Sequence, residues 1–370
     1  MKYVLMTASI IALGSGGAQA AGIERSAQSV GIIFEEGNYA ELSFGGFNPD
    51  VVGAGAGPFA GTSSGDMAPG YGTFSFGLKQ SLSERLDFAV ILDQPVGANV
   101  SYPVQLYPFA GGTADIDSLA LTALLRYKFP SNISIIGGLR AQQVTGEVSI
   151  PSIGGYTMTT DTDRKVGYVV GIAWEKPEIA ARVALTYNSE IEHDLTAQEK
   201  FAAMPAAVTT TFQTKIPQSV NLEFQTGVAA DTLLFGSIRW VEWSVFDISP
   251  PVFANAPCAT PGGPVPCGPL AKLDSDYVAY TLGLGRKFSD QWSGAVIAGY
   301  EGASGDLQGN LGPTDGSKSL GLAATYTMDN VKITGGVRYV SIGDATTKGV
   351  GSRFTDNSGV GVGIRIGYSF

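Results

Sequence analysis

The sequence predicts an all-β protein: a fourteen-stranded antiparallel transmembrane β-barrel with short periplasmic turns at one end and long extracellular loops at the other. Three observations lead there. Apolar and polar residues alternate with a period of two in segment after segment, short polar turns alternate with longer loops, and aromatic residues gather at segment ends.

The alternation is cleanest in the last residues, where Val360, Val362, Ile364, Ile366, Tyr368 and Phe370 share one face and Gly361, Gly363, Arg365, Gly367 and Ser369 share the other. It recurs with Leu119, Leu121, Ala123, Leu125 and Tyr127 opposite Thr122, Arg126 and Lys128, and with Val331, Ile333, Val337 and Tyr339 opposite Lys332, Thr334 and Arg338. An arginine is costly against lipid and tolerable in a wet lumen, so the apolar face is assigned to the bilayer and the arginine face to the interior.

Six short connectors fall at 81–85, 130–132, 176–178, 230–232, 289–291 and 329–330, each rich in turn-forming residues. Seven longer stretches lie between them, at 53–70, 100–114, 149–161, 190–213, 248–273, 303–317 and 343–358. Six turns and seven loops join fourteen strands, and an even number returns both chain ends to the turn side. Lipid cannot hydrogen-bond an open sheet edge, so the barrel must close. Tyr127 and Phe129, Trp174, Phe288 and Trp292, and Tyr326 stand beside turns, where aromatic rings favour the membrane interface.

Composition agrees: 50 glycines, 10% aromatic and only 15% charged residues suit many strands and turns. Lys2, the apolar run from Val4 to Leu13 and Ala18-Gln19-Ala20 follow the order of a secretory signal peptide over 1–20, the apolar run being too short to span a bilayer as a helix. The chain then divides into an N-terminal plug segment, 21–38, and the barrel, 39–370. A net charge of −10 argues against nucleic acid as a partner. Cys258 and Cys267 share a Pro/Gly-rich stretch, where export favours a local disulfide over two free thiols, and they lack the further ligands a structural zinc would need. His193 is the single histidine, in a polar stretch with no nucleophile at a meaningful spacing. Metal clusters and phosphate-binding loops are missing too, so no catalysis, metal or cofactor is expected.

Several segments resemble the FadL-type family of outer-membrane long-chain fatty acid and hydrocarbon transport proteins. The clearest is Ile216-Pro217-Gln218-Ser219-Val220-Asn221-Leu222, continuing to Trp240-Val241-Glu242-Trp243-Ser244-Val245-Phe246. Gln94-Pro95-Val96-Gly97 is similar to the family's interruption of the third strand, and Tyr187–His193 to the segment that leads into a long outer loop. The resemblance implies a monomeric barrel in the Gram-negative outer membrane that captures a hydrophobic small molecule with its outer loops, holds it in the lumen and releases it laterally into the membrane lipids. Gly367-Tyr368-Ser369-Phe370 also resembles the C-terminal signature read by the barrel assembly machinery. One departure stands out: the family's plug has some forty residues and an Asn-Pro-Ala group, whereas here at most 18 residues precede the first strand and only Asn48-Pro49-Asp50 is present.

This frame nominates site residues. Pro95 removes a ladder donor and Gly97 tolerates a bulge, which together form either a lateral opening or an ordinary kink. The inward arginines include Arg140, Arg182 and Arg338, which either contact a ligand carboxylate or pair with lumen acids such as Glu223. Phe201 and Met204 fall on one side of a short amphipathic helix expected over 196–204, where they either gather ligand or pack the loop on the rim. A polar-solute porin and a structural or adhesive barrel are the alternatives, told apart by a charge-dense constriction loop and by an intact wall respectively.

Overall fold

A computed structural model describes residues 22–104, 106–258 and 264–370. The segment read as a signal peptide lies outside them. Eighteen hydrogen-bonded segments form one closed antiparallel sheet, and because four staves are each built from two segments the barrel has fourteen staves. They are β1 (Tyr39–Asp50), β2 (Tyr71–Ser81), β3 (Leu86–Asp93 with Gly97–Ser101), β4 (Thr113–Lys128), β5 (Ile133–Ile150), β6 (Tyr156–Thr160 with Asp163–Lys176) and β7 (Ala181–Asn188 with Ile191–Lys200). The rest are β8 (Val208–Ile216 with Ser219–Ala229), β9 (Thr232–Val241), β10 (Tyr277–Lys287), β11 (Trp292–Glu301), β12 (Ser317–Met328), β13 (Val331–Ile342) and β14 (Ser358–Ser369). Pairing of β1 with β14, from Tyr39↔Ser369 to Asp50↔Ser358, closes the ring.

The short turns fall where the sequence places them, and their chemistry explains why. Asn132, Asp231 and Asp329 adopt positive φ, which short amide and carboxylate side chains tolerate better than most. Ala180 also has positive φ, after the 3-10 turn Pro177–Ile179, and it has no such side-chain excuse.

Residues 190–213 depart from expectation. The predicted amphipathic helix over 196–204 is absent: Ile191–Lys200 is strand, its partner is Val208–Ile216, and Phe201 and Met204 occupy the intervening turn. Ile191, His193, Leu195, Ala197 and Glu199 are buried while Glu192, Asp194, Gln198 and Lys200 are exposed, so the period is two after all.

Across the middle of the barrel the outward face is a continuous apolar band. Leu139, Val166, Leu320, Leu322 and Val362 are each more than half exposed, a surface that suits acyl chains rather than water. At the turn end Tyr127 and Phe129 form an edge-on pair 5.0 Å apart and Trp292 packs on Tyr326 at 4.9 Å, making the interfacial girdle. Leu139→Arg places a cation at mid-height on this face, and urea unfolding in lipid vesicles is expected to show a loss of about 2–4 kcal/mol.

Inside, the core has two levels. A large apolar cluster that includes Val144, Val148, Met158, Phe212, Phe246 and Leu270 fills the loop half, and a smaller one built on Val30, Ile32, Ile33 and Phe34 fills the turn half.

Candidate functional site

The N-terminal segment crosses the lumen and is tied to several walls. Glu24 accepts hydrogen bonds from Arg239 of β9 (Nε, 2.8 Å), and Arg239 also donates to Ser219 and Asn221 of β8. Further along, Ser29 donates to Glu223 at 2.6 Å and Asn221 donates to the Ala27 carbonyl at 2.9 Å. Arg239 and Glu24 are both buried, where each charge is tolerable only because the other is present. Ile32, Ile33 and Phe34 then fill the turn end of the lumen, with the Phe34 ring between the guanidinium groups of Arg126 (4.5 Å) and Arg182 (4.4 Å). A route straight down the barrel axis therefore meets packed side chains.

The third stave is interrupted. Its lower part pairs with β2 only from Phe76↔Leu92 to Ser81↔Asp87, and Gly97–Ser101 pairs with β4 but not with β2. Tyr71–Ser75 of β2 is thus left without a ladder partner in β3 among the described residues. The loose backbone groups at the break are satisfied by substitutes. The Gln94 side chain accepts from Phe74 N–H at 3.1 Å, Ser118 Oγ accepts from Val96 N–H at 2.9 Å, and the N-terminal segment pairs across it through Arg25 N–H to Pro95 C=O (3.0 Å) and Gly97 N–H to Ile23 C=O (2.9 Å). Pro95 has no N–H to lose, which makes this position the least costly place to interrupt the ladder.

Arg25 lies at this break. On the register Gly97 and Asn99 share the face of Asp117 and Asp115, and alternation puts that face opposite the inward residues Ala114, Ile116 and Ser118. The Arg25 guanidinium donates to Asn99, pairs with Asp117 at 3.8 Å and stacks on Tyr71 at 4.3 Å, so it runs from the lumen into the break. Gly97 is what admits it: a Cβ there would lie 2.4 Å from Arg25 Cζ.

Three cavities lie between the loop half and this break. The upper one is lined chiefly by aliphatic and aromatic side chains such as Val148, Met158, Leu195 and Phe212. It shares Ile23, Val100 and Leu311 with a second, which in turn shares Tyr71 with a third that reaches Arg25, Asp93 and Gln94.

The nominated residues fall into separate groups. Pro95 and Gly97 lie at the break, and Arg338 lines the third cavity beside Tyr71. Arg140 is buried and donates to Thr122 at 3.0 Å, and Arg182 stacks on Phe34; neither lines the apolar cavity. Phe201 packs on Tyr156 (5.1 Å), which also stacks on Phe253 (4.8 Å) and donates to the buried Glu199, closing the rim above the upper cavity. Met204 caps the same turn through its sulfur, which accepts from Phe201 N–H. Cys258 and Cys267 are joined by a disulfide in the loop after β9, with Cα atoms 4.9 Å apart. Sequence reasoning missed Glu24, Arg25 and Tyr71; two adjacent charges in an otherwise small and apolar N-terminal stretch were the available signal.

No family model matches the sequence, and no curated protein does. Solved structures match over nearly the whole chain. A Pseudomonas aeruginosa FadL homologue superposes with a TM-score of 0.72 at 16% identity, covering 97% of this chain and 98% of that one. The Pseudomonas putida toluene transporter TodX gives 0.64 at 12% identity over 96% and 98%, and the Ralstonia pickettii toluene transporter TbuX gives 0.63 at 10% over 97% and 99%. The chain therefore has the fold of this class of outer-membrane barrel.

Proposed function

We propose that the protein is a Gram-negative outer-membrane channel for uptake of hydrophobic small molecules, which are captured at the outer loops, held in the upper cavity and released sideways through the break in β3. The observation that carries this reading is the pairing of a packed turn end, at Ile32, Ile33 and Phe34, with three neighbouring cavities that share lining residues, the last of them lined by Gln94 beside the gap. An open aqueous porin has little use for either feature. Long-chain fatty acids fit the route, since its upper lining is apolar and its last cavity carries Arg25 and Arg338 as partners for a carboxylate. Monoaromatic hydrocarbons, named for similar structures, fit the upper lining equally.

Uptake of labelled oleate and labelled toluene by a host lacking its own uptake barrel, with and without this chain and with surface expression matched, tests the reading. Faster accumulation of either compound supports it. Unchanged accumulation of both, together with ion conductance in planar bilayers, overturns it in favour of a polar-solute porin.

A further inference from the structure

One wall of the upper cavity, where β5 to β8 meet, carries hydrogen-bonding groups that the lateral route does not employ. Val144 and Thr214 both line the cavity. Asp163 is the cross-strand partner of Val144, and Thr214 that of His193. His193 Nδ1 lies 2.8 Å from Asp163 Oδ2, so the imidazole sits in the wall between two cavity-lining residues. It is fully buried, and its Nε2 has no hydrogen-bond partner among the described residues. Thr214 Oγ1 is likewise buried and unpartnered, as are both amide atoms of Gln142, two residues from Val144 on the same face of β5. Buried polar atoms are nearly always paired, so the unmet groups of the cross-strand pair His193 and Thr214, of which Thr214 lines the cavity, together with the unmet Gln142 amide beside Val144, point to an occupant that completes them.

The chemistry of that occupant follows from the tautomer. A carboxylate can only accept, so Nδ1 bears the proton that bonds Asp163 and Nε2 presents a lone pair. A lone pair in a dry site favours a donor and repels an anion. Thr214 can give or take a hydrogen bond, and the Gln142 amide can do either. A plain hydrocarbon would leave all three unmet, whereas a hydroxyl can donate to Nε2 and accept from Thr214.

We propose that His193, Thr214 and Gln142 form a subsite for the hydroxyl group of a hydrophobic ligand, such as a phenol, an alcohol or an undissociated acid. This deepens the uptake reading and rests on the upper cavity being the ligand site.

The test measures binding of naphthalene, 1-methoxynaphthalene and 1-naphthol to the purified full chain by titration calorimetry, with empty micelles subtracted. 1-Naphthol is expected to bind about five- to tenfold tighter than the other two, which lack a donor. His193→Phe should erase that preference, and Thr214→Val should reduce it, deciding the matter should the first variant fail to fold. Ala114→Phe, which fills the cavity, should weaken all three compounds. Equal affinities in the native chain, or a preference that survives in a folded His193→Phe or Thr214→Val variant, overturn the subsite alone. No binding by the native chain, or binding indifferent to Ala114→Phe, overturns the cavity reading and the subsite with it.

Discussion

Replacing Gly97 with valine is expected to slow uptake by about tenfold or more, a rise of roughly 1.4 kcal/mol in the barrier per factor of ten, while the barrel stays closed and folded. The seat beside Gly97 is already occupied, since any Cβ there falls within 2.5 Å of Arg25 Cζ, Nε and Nη1. Valine would take the guanidinium's place inside the break and, being branched at Cβ, could not rotate clear. Ladder pairing of Gly97–Ser101 with β4 does not depend on that position being glycine, so heat-modifiable migration on gels should be retained. Arg25→Ala should act in the opposite sense. It vacates the break and removes the contacts to Asn99 and Asp117, so uptake should equal or exceed the native rate, by up to about tenfold where those charge-assisted contacts limit exit. A wall that is merely kinked would make both substitutions neutral.

Arg239→Leu is expected to cost roughly 3–5 kcal/mol of the free energy that holds the N-terminal segment in the lumen, because it leaves the buried Glu24 carboxylate without its cation. Hydrogen exchange should show residues 23–30 losing protection while the staves keep theirs. The double variant Glu24→Leu/Arg239→Leu should recover most of that protection, since an apolar pair of similar volume carries no unpaired charge. Loss of protection in the double variant equal to that in the single one would mean that the ion pair is not what anchors the segment.

The barrel was legible because its determinants are local. Turn residues at Asn132, Asp231 and Asp329 and strict alternation along β4, β13 and β14 each declare themselves within a dozen residues. The upper halves of β7 and β8 were not legible as strand, and the reason is environmental. Above the bilayer the outward face meets water, so Glu192, Asp194 and Gln198 stand where apolar residues stand lower down, and a two-residue period without an apolar outer face reads as polar loop. His193 was misplaced with them: it belongs to the buried face of a strand, bonded to Asp163 thirty positions away.

The candidate site was legible only in part. Pro95 and Gly97 announce an interruption, because proline and glycine are poor ladder residues wherever they occur. What fills the interruption depends on closure, which brings residue 25 against residues 71, 97, 99 and 117 and leaves no trace in local pattern. The arginines were assigned correctly to the inner face, but alternation gives the face and not the height. Arg182 lies at the lower level against Phe34, Arg140 bonds Thr122, and of the three only Arg338 lines one of the cavities.

The most direct test of lateral release is to illuminate cells while a photoactivatable hydrophobic probe is being taken up, then map the labelled residues by mass spectrometry. Release through the wall predicts adducts in the upper cavity, at residues such as Val148 and Phe212, and at Tyr71, Phe74 and Asn99 flanking the break. Adducts at Ile33 and Phe34 in the turn end of the lumen, with none at the break, would contradict it.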